Sequence, residues 1–290
     1  MARVLVTGMQ GFTGPYVGRA LEAAGHEVVG TDAWPEFDLR KPETLTAALR
    51  SARPDHVIHL AGLSSVTHGD AAELYVVNAV GTGHLLRAIA EAAPGVRKVL
   101  LASSANVYGN VAGGEPIDEA TPPAPVNHYA CSKLAMEFIA RTWFDRLPIV
   151  IARPFNYTGP GQTEAFLIPK LVAHHALRRP VLELGNIDVE RDFSDVRMVA
   201  DAYVRLLASD AAGTVVNICS GEGRSLRSVL AELQAITGHR PEIRVAPNLV
   251  RRAEVHRLVG SDARLRAIVG PLGYRDFLGT LRWMVEEQVR

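Results

Sequence analysis

Cysteine is scarce in this chain: only Cys131 and Cys219 occur in 290 residues, far apart and each in apolar surroundings. That excludes a disulfide framework and any cysteine metal-ligand spacing, and it points to a reducing, cytoplasmic setting. Net charge is lacking too, since 31 Lys and Arg balance 31 Asp and Glu. Bulk electrostatics therefore give no reason to expect nucleic acid or an anionic membrane as partner. No apolar run reaches the ~20 residues that span a bilayer. The opening stretch Met1–Gly8 is too short an apolar run for a signal peptide and has no cleavage site. Internal repeats, low-complexity tracts and disordered linkers are missing as well. What is present is an ordinary soluble composition, 48% apolar and 21% charged, in a chain long enough for one large or two modest domains.

Through the first two-thirds, short β-branched runs alternate with longer amphipathic stretches, the rhythm of βαβ units around a parallel sheet. The spacing predicts strands at Val4–Val6, Glu27–Gly30, His56–Leu60, Lys98–Ala102 and Ile149–Ala152. Each is short and apolar on both sides, as a strand covered by helices on two faces must be. Tyr16–Ala24 reads as a helix ending at Gly25 in a left-handed cap. Pro42 suits a first helical turn, where its missing N–H has no partner to lose. The rhythm changes near residue 155, where Pro154, Gly159, Pro160 and Gly161 cluster. Beyond it a helix is expected over Glu164–Leu177, a strand near Val181–Leu184, then helix, strand and helix through Leu206–Val216 and Leu226–Ile236. The expected architecture is α/β: a Rossmann-type doubly wound parallel sheet over 1–155, with a smaller, interwoven substrate-binding part over 156–290 that returns some segments to it.

Two constellations carry chemistry. Gly8-Met-Gln-Gly11-Phe-Thr-Gly14 follows the first strand and opens the first helix. Glycines there allow a tight turn, close approach of backbone to a pyrophosphate, and close helix–strand packing, with the helix N-terminus facing the phosphates. Asp32, 18 residues after Gly14 and just past the second strand, is placed to bond ribose hydroxyls and repel a 2′-phosphate. That favours NAD(H), with NADP(H) still compatible. In the second constellation, Tyr129-Ala-Cys-Ser-Lys133 sets a tyrosine and a lysine one turn apart on one helix face. Ser103 and Ser104 end a central strand, where open parallel sheets bind their ligands. A tyrosine of ordinary pKa about 10, beside an ammonium and a cationic nicotinamide, can exchange a proton with a sugar hydroxyl or ketone near neutral pH.

Together, Gly8-x-x-Gly11-x-x-Gly14, His59-Leu-Ala-Gly62, Asn78-x-x-Gly81-Thr82, Ser103-Ser104-x-x-x-Tyr108-Gly109 and Tyr129-x-x-x-Lys133 resemble the extended short-chain dehydrogenase/reductase family along nearly the whole chain. Further on, Arg153-Pro-Phe-Asn156, Gly159-Pro-Gly-Gln162, Leu184-Gly-Asn, Arg191-Asp-Phe-Ser-Asp195, Asn217-Ile-Cys-Ser-Gly221 and Arg251-x-x-Glu254 are most similar to GDP-4-keto-6-deoxy-D-mannose reductases and the related GDP-mannose 4,6-dehydratases. The resemblance implies Ser104, Tyr129 and Lys133 as catalytic residues. It implies cofactor contacts at Gly8, Gly11, Phe12, Thr13, Gly14, Asp32, Asp38, Leu39, Leu60, Ala61, Gly62 and Asn78, with Tyr129 and Lys133. Substrate contacts follow at Ser103, Asn106, Asn156, Arg191, Arg251 and Glu254, the two arginines suiting a diphosphate through their planar forks. It also implies a homodimer formed through the long helices flanking the sheet; no metal is expected, since His174-His175 has no third ligand.

The reaction is chosen by one position. The dehydratases carry a glutamate two residues after the catalytic Ser/Thr; here that position is Asn106, and an amide cannot serve as the base. Glu115 and Glu119 lie nearby in a Pro/Gly loop poorly suited to replace it. A 4-epimerase needs only the same trio, and Asp32 favours it slightly because epimerases retain NAD. The C-terminal motifs place a reductase ahead. A non-catalytic NAD-binding regulator is a third reading, but such proteins lose part of the trio and here all of it is present. Several residues have plainer readings: Asp195 as a helix cap, Arg251-Arg252 as a solvated pair, His174-His175 as surface or packing, His59 as a structural strand end. Asn156-Tyr-Thr158 matches a glycosylation sequon, a coincidence in a cytosolic protein.

Overall fold

Short aliphatic runs become strands where both faces are covered. The computed structural model describes all residues except 65–69, 112–113, 251–254 and 274–275. The first half runs β1 (Arg3–Thr7), α1 (Gly14–Ala23), β2 (Glu27–Gly30), α2 (Pro42–Ala52), β3 (His56–His59), α3 (Ala71–Tyr75), a π-helical turn (Val76–Val80), α4 (Gly81–Ala92) and β4 (Lys98–Ala102). A 3₁₀ turn (Ala105–Tyr108), α5 (His128–Arg141) and β5 (Ile149–Pro154) complete it. Gly25 takes a φ of +79° just beyond α1, the left-handed cap expected of it, and α2 starts on Pro42.

The second half contributes β6 (Asn156–Thr158), α6 (Leu167–Ala176), β7 (Val181–Leu184), β8 (Glu190–Asp195), α7 (Val196–Ala208) and β9 (Thr214–Ile218). It continues through β10 (Gly223–Ser225), α8 (Leu226–Thr237), β11 (Glu242–Val245), β12 (Arg257–Leu258), α9 (Ala263–Val269) and α10 (Phe277–Gln288). The main sheet has the order β2-β1-β3-β4-β5-β9, parallel throughout. Chain order reverses direction at β1, so the crevice beyond the C-terminal ends of β1 and β3 is the switch point where such sheets bind ligands. One face is sealed by Val17 and Leu21 of α1, Tyr203 and Leu206 of α7 and Leu265 of α9. The other is sealed by Leu45 and Leu49 of α2, Leu85 and Ile89 of α4 and Ala140 of α5. Beyond the sheet's C-terminal edge, β8 pairs with β6, β10 and β12, and β7 pairs with β11. These rest on a core of α6, α8 and α10 side chains.

One expectation changes. The helix expected from Glu164 begins at Leu167, after Phe166 in extended conformation (φ −95°, ψ 153°). Pro169 explains it: proline is tolerated in a first turn but deeper in a helix it clashes with the carbonyl four residues back. β8, Glu-Arg-Asp-Phe-Ser-Asp, is too polar to read as a strand, yet most of it is buried. Its Asp192 carboxylate makes that possible by accepting from Ser220 N at 2.9 Å, Ser220 Oγ at 2.7 Å and Gly221 N at 2.9 Å. Among the described residues no helix is long and apolar enough to cross a membrane, and no cluster could hold a metal ion.

Candidate active site

β1 ends at Thr7 and the chain turns on Gly8 with φ +76°, where a Cβ would also lie 2.7 Å from the Ala61 amide nitrogen. Gly11 N–H donates to Gly8 O at 3.1 Å and closes the turn. At Gly14 a Cβ would run into the Met9 backbone, whereas at Gly11 it would meet only the Gly8 carbonyl. The N-terminus of α1 has no side-chain cap and no acidic residue in its first turn. Pro15 carries no N–H, and Tyr16 and Val17 N–H donate to Thr13 O, so it is the positive dipole end that is left for an anion, and the open backbone at Gly11 gives that anion room. The cradle fits the pyrophosphate of a dinucleotide. Asp32 is exposed in the turn after β2, its carboxylate folded back over Gly30. Leu60 N donates to Thr7 O at 3.2 Å and Ala61 N to Thr7 Oγ1 at 3.1 Å, which ties the loop after β3 against the glycines.

Three further expected cofactor positions are Asp38, Leu39 and Asn78. Asp38 is gripped by Arg40 Nε and Nη2 at 2.9 and 2.8 Å, a bond that holds its carboxyl down at about 2. Its neighbour Leu39 is buried, in contact with Gly81. Asn78 has both ends of its amide engaged: Oδ1 accepts from Leu63 N at 2.8 Å, and Nδ2 donates to Leu63 O and Ser132 Oγ at 3.0 Å each. It ties the loop after β3 to α5, with Gly62 wedged between it and the Lys133 ammonium.

The trio converges at the ends of β4 and α5. Ser104 Oγ accepts from Asn106 N at 3.2 Å and Asn106 Nδ2 at 3.1 Å. With both lone pairs engaged, its own proton is left to donate. Asn127 caps α5 by accepting from Ala130 N at 2.8 Å, which sets Tyr129 and Lys133 in the first turns. Lys133 Nζ donates to Ala102 O, the last residue of β4, at 2.8 Å. Burial pushes the Tyr129 phenol up to about 12, with hydrogen bonding to Ser104 working the other way. Burial also lowers Lys133 to about 8, opposed by the Glu137 carboxylate. By itself, then, the chain presents a neutral tyrosine, a proton donor, next to a lysine whose charge is weakly held.

Behind the trio lie two buried polar networks. Tyr129, Lys133 and Glu137 form one stripe of α5 at four-residue spacing. Glu137 accepts from Ser103 Oγ at 2.6 Å and from Arg153 Nε and Nη2 at 2.8 and 2.6 Å. The Arg153 guanidinium lies 4.7 Å over the Tyr108 ring, whose hydroxyl donates to Asn217 Oδ1 at 2.7 Å. Ser103, expected as a substrate contact, is buried with its Oγ committed to this spine. In the second network His59 bonds Thr7 Oγ1 at 2.7 Å and Thr82 Oγ1 at 3.0 Å. Thr82 gives its proton to Asn78 O at 2.7 Å, so it accepts from His59 Nε2–H. Burial, then the neighbouring Lys133, depress His59 to about 3, and it stands as a neutral strut.

On the substrate side, Asn156 opens β6 and its Nδ2 donates to Asp192 O at 3.5 Å. Arg191 lies on β8, its Nη1 donating to Glu190 O at 3.0 Å and His256 O at 3.2 Å. Arg251 and Glu254 lie outside the described residues. Glu119 is occupied elsewhere: it accepts from Asn217 N at 2.8 Å and lies 3.5 Å from Arg264 Nε. Tyr157, in none of the motifs by its own identity, meets the glycine loop, its hydroxyl 2.8 Å from Thr13 Oγ1. Only the alternation of a strand after Asn156 hints at it.

Residues 4–219 match the model of the NAD dependent epimerase/dehydratase family. GDP-6-deoxy-D-mannose reductase of Pseudomonas aeruginosa is 40% identical over 279 residues, covering 92% of this chain and 91% of its own. GDP-6-deoxy-D-talose 4-dehydrogenase of Aggregatibacter actinomycetemcomitans is 34% identical over 269 residues, again 92% and 91%. The structure of RMD from Pseudomonas aeruginosa, solved with NADPH, superposes with a TM-score of 0.90 at 37% identity, covering 100% of this chain and 98% of its own. By sequence, fold and the placement of its glycine loop and trio, the chain belongs to the NAD dependent epimerase/dehydratase family.

Proposed function

We propose that this chain reduces the C4 ketone of GDP-4-keto-6-deoxy-D-mannose with a nicotinamide cofactor, giving GDP-rhamnose or GDP-6-deoxytalose. The observation that carries the reading is Asn106, which stands where elimination needs a carboxylate and instead fixes Ser104 as a hydrogen-bond donor. A ketone oxygen asks for two donors, and Ser104 and the neutral Tyr129 are both donors. The names of the two relatives, one a reductase and one a dehydrogenase of GDP-linked 6-deoxy sugars, support the same chemistry. Gly8, Gly11, Phe12, Thr13 and Gly14 would hold the dinucleotide's diphosphate, and Asp32 its adenosine ribose, which favours NADH over NADPH. When bound, the reduced nicotinamide supplies the hydride that adds to C4. Ser104 orients the ketone, Tyr129 gives its proton to the oxygen, and Lys133 steadies the phenolate left behind. Asn156 and Arg191 would lie along the nucleotide sugar, with Arg251 and Glu254 completing the set. The protein works in this reading as a cytoplasmic homodimer.

Mixing the protein with GDP-4-keto-6-deoxymannose and NADH or NADPH, and following reduced-nicotinamide absorbance, tests it. Stoichiometric oxidation, faster with NADH, is expected, with the epimer named by NMR of the product. Tyr129→Phe is expected to lose about 10²-fold or more in turnover while staying folded. The second reading, an NAD-dependent nucleotide-sugar 4-epimerase, draws on Asp32; it takes over if neither cofactor is oxidised and NAD co-purifies.

A further inference from the structure

Tyr157 sits between two sites. It is half-buried, its hydroxyl meets Thr13 Oγ1 at 2.8 Å, and its ring stacks on Phe12 with centroids 6.0 Å apart and planes 17° apart. Phe12 is also edge-on to Tyr16, whose hydroxyl donates to Pro160 O at 2.7 Å. Thr13 occupies the position whose side chain ordinarily caps a helix, yet it makes no capping bond, and its hydroxyl is committed to Tyr157. Phe12 and Thr13 are the two residues between Gly11 and Gly14, so Tyr157 grips the middle of the anion cradle. On its other side, Tyr157 belongs to a strand in register with β8: Asn156 with Phe193, Tyr157 with Ser194, Thr158 with Asp195. That pair of strands carries Asn156 and Arg191.

We propose that Tyr157 is a positioning residue that couples the two binding sites: it holds Phe12 and Thr13 in shape from the strand that carries the sugar-nucleotide contacts, so that each ligand strengthens binding of the other. Such coupling is reciprocal by linkage. The inference rests on reading the glycine loop as a dinucleotide site and the β6–β8 pair as part of the nucleotide-sugar site.

Calorimetric titration of the full chain with NADH and NADPH, with and without GDP as probe, tests it. In the wild type, saturating GDP is expected to tighten cofactor binding about threefold or more. Tyr157→Phe should bind the cofactor about fivefold more weakly, as loss of one partly buried hydrogen bond implies, and the GDP effect should fall to about unity. Thr13→Val should weaken binding likewise, with the double variant no weaker than either single one. Tyr16→Phe removes a comparable bond between the same two segments without touching Thr13, and should leave cofactor affinity unchanged. The proposal is overturned if Tyr157→Phe matches the wild type, if GDP binds the wild type without changing its cofactor affinity, or if Tyr16→Phe weakens binding equally. A wild type that binds neither cofactor refutes the dinucleotide reading and takes this inference with it. A wild type that binds cofactor but not GDP refutes only the guanine reading, and the fivefold loss in Tyr157→Phe then decides the grip alone.

Discussion

His59 shows how much a single buried residue can set. Its folded state titrates at about 3 instead of 6.5, so on acidification the unfolded chain takes up a proton that the fold refuses. Its contribution is complete above pH 6.5 and is lost as pH falls toward 3, at up to about 1.4 kcal/mol per pH unit. Denaturant titrations at pH 7 and pH 5 should show this loss. His59→Gln should be less stable at pH 7 but lose less between the two. At this scale the sequence is legible where chemistry or sterics admits few residues: Gly8 for its positive φ, Tyr129 and Lys133 for their helical spacing, Ser104 for its strand end. It is silent where a partner arrives from elsewhere in the chain. Nothing in Ser103 announces Glu137, 34 residues on, and nothing in Thr13 announces Tyr157, 144 residues on. Glu137 alone left a trace, since it continues the Tyr129–Lys133 spacing within a stretch, Ala135–Ala140, that otherwise reads as apolar packing.

Secondary elements are most legible in the main sheet, because strands buried on both faces must be aliphatic throughout. β2 and β4 fall at the expected residues, and β1, β3 and β5 within two residues of them. β8 escaped because its buried Asp192 is satisfied by the distant Ser220 and Gly221 backbone, which hydropathy cannot register. Asp195, at the junction of β8 and α7, does what a capping acid should and more. It accepts from Arg197 N at 2.7 Å, pairs with the Arg197 guanidinium, and accepts from Thr280 Oγ1 of α10 at 2.8 Å. Asp195→Ala removes the cap, the Arg197 pair and the Thr280 bond together, for an expected loss of about 2–3 kcal/mol. It should appear as a lower urea midpoint at unchanged slope, and Asp195→Asn should restore part of it.

At the scale of the whole molecule, Phe138 is 60% exposed on α5, and Val76 and Val80 are 41% and 45% exposed in the π-helical turn packed beside that helix. The proposed homodimer would cover them. Light scattering should give the wild type about twice the 31.3 kDa chain mass, and Phe138→Asp a single chain's mass; a variant that stays dimeric would move the interface to another face. The return of β9 to the main sheet has a consequence for synthesis. When residue 155 leaves the ribosome, β5 is paired with β4 on one side only, and its other edge waits for a strand that follows some 60 residues later. A wholly buried strand with a bare edge is a template for pairing with other chains. The nascent chain therefore passes through an interval of exposure that closes only when Thr214–Ile218 emerges, and a stop within that interval releases a fragment prone to aggregate.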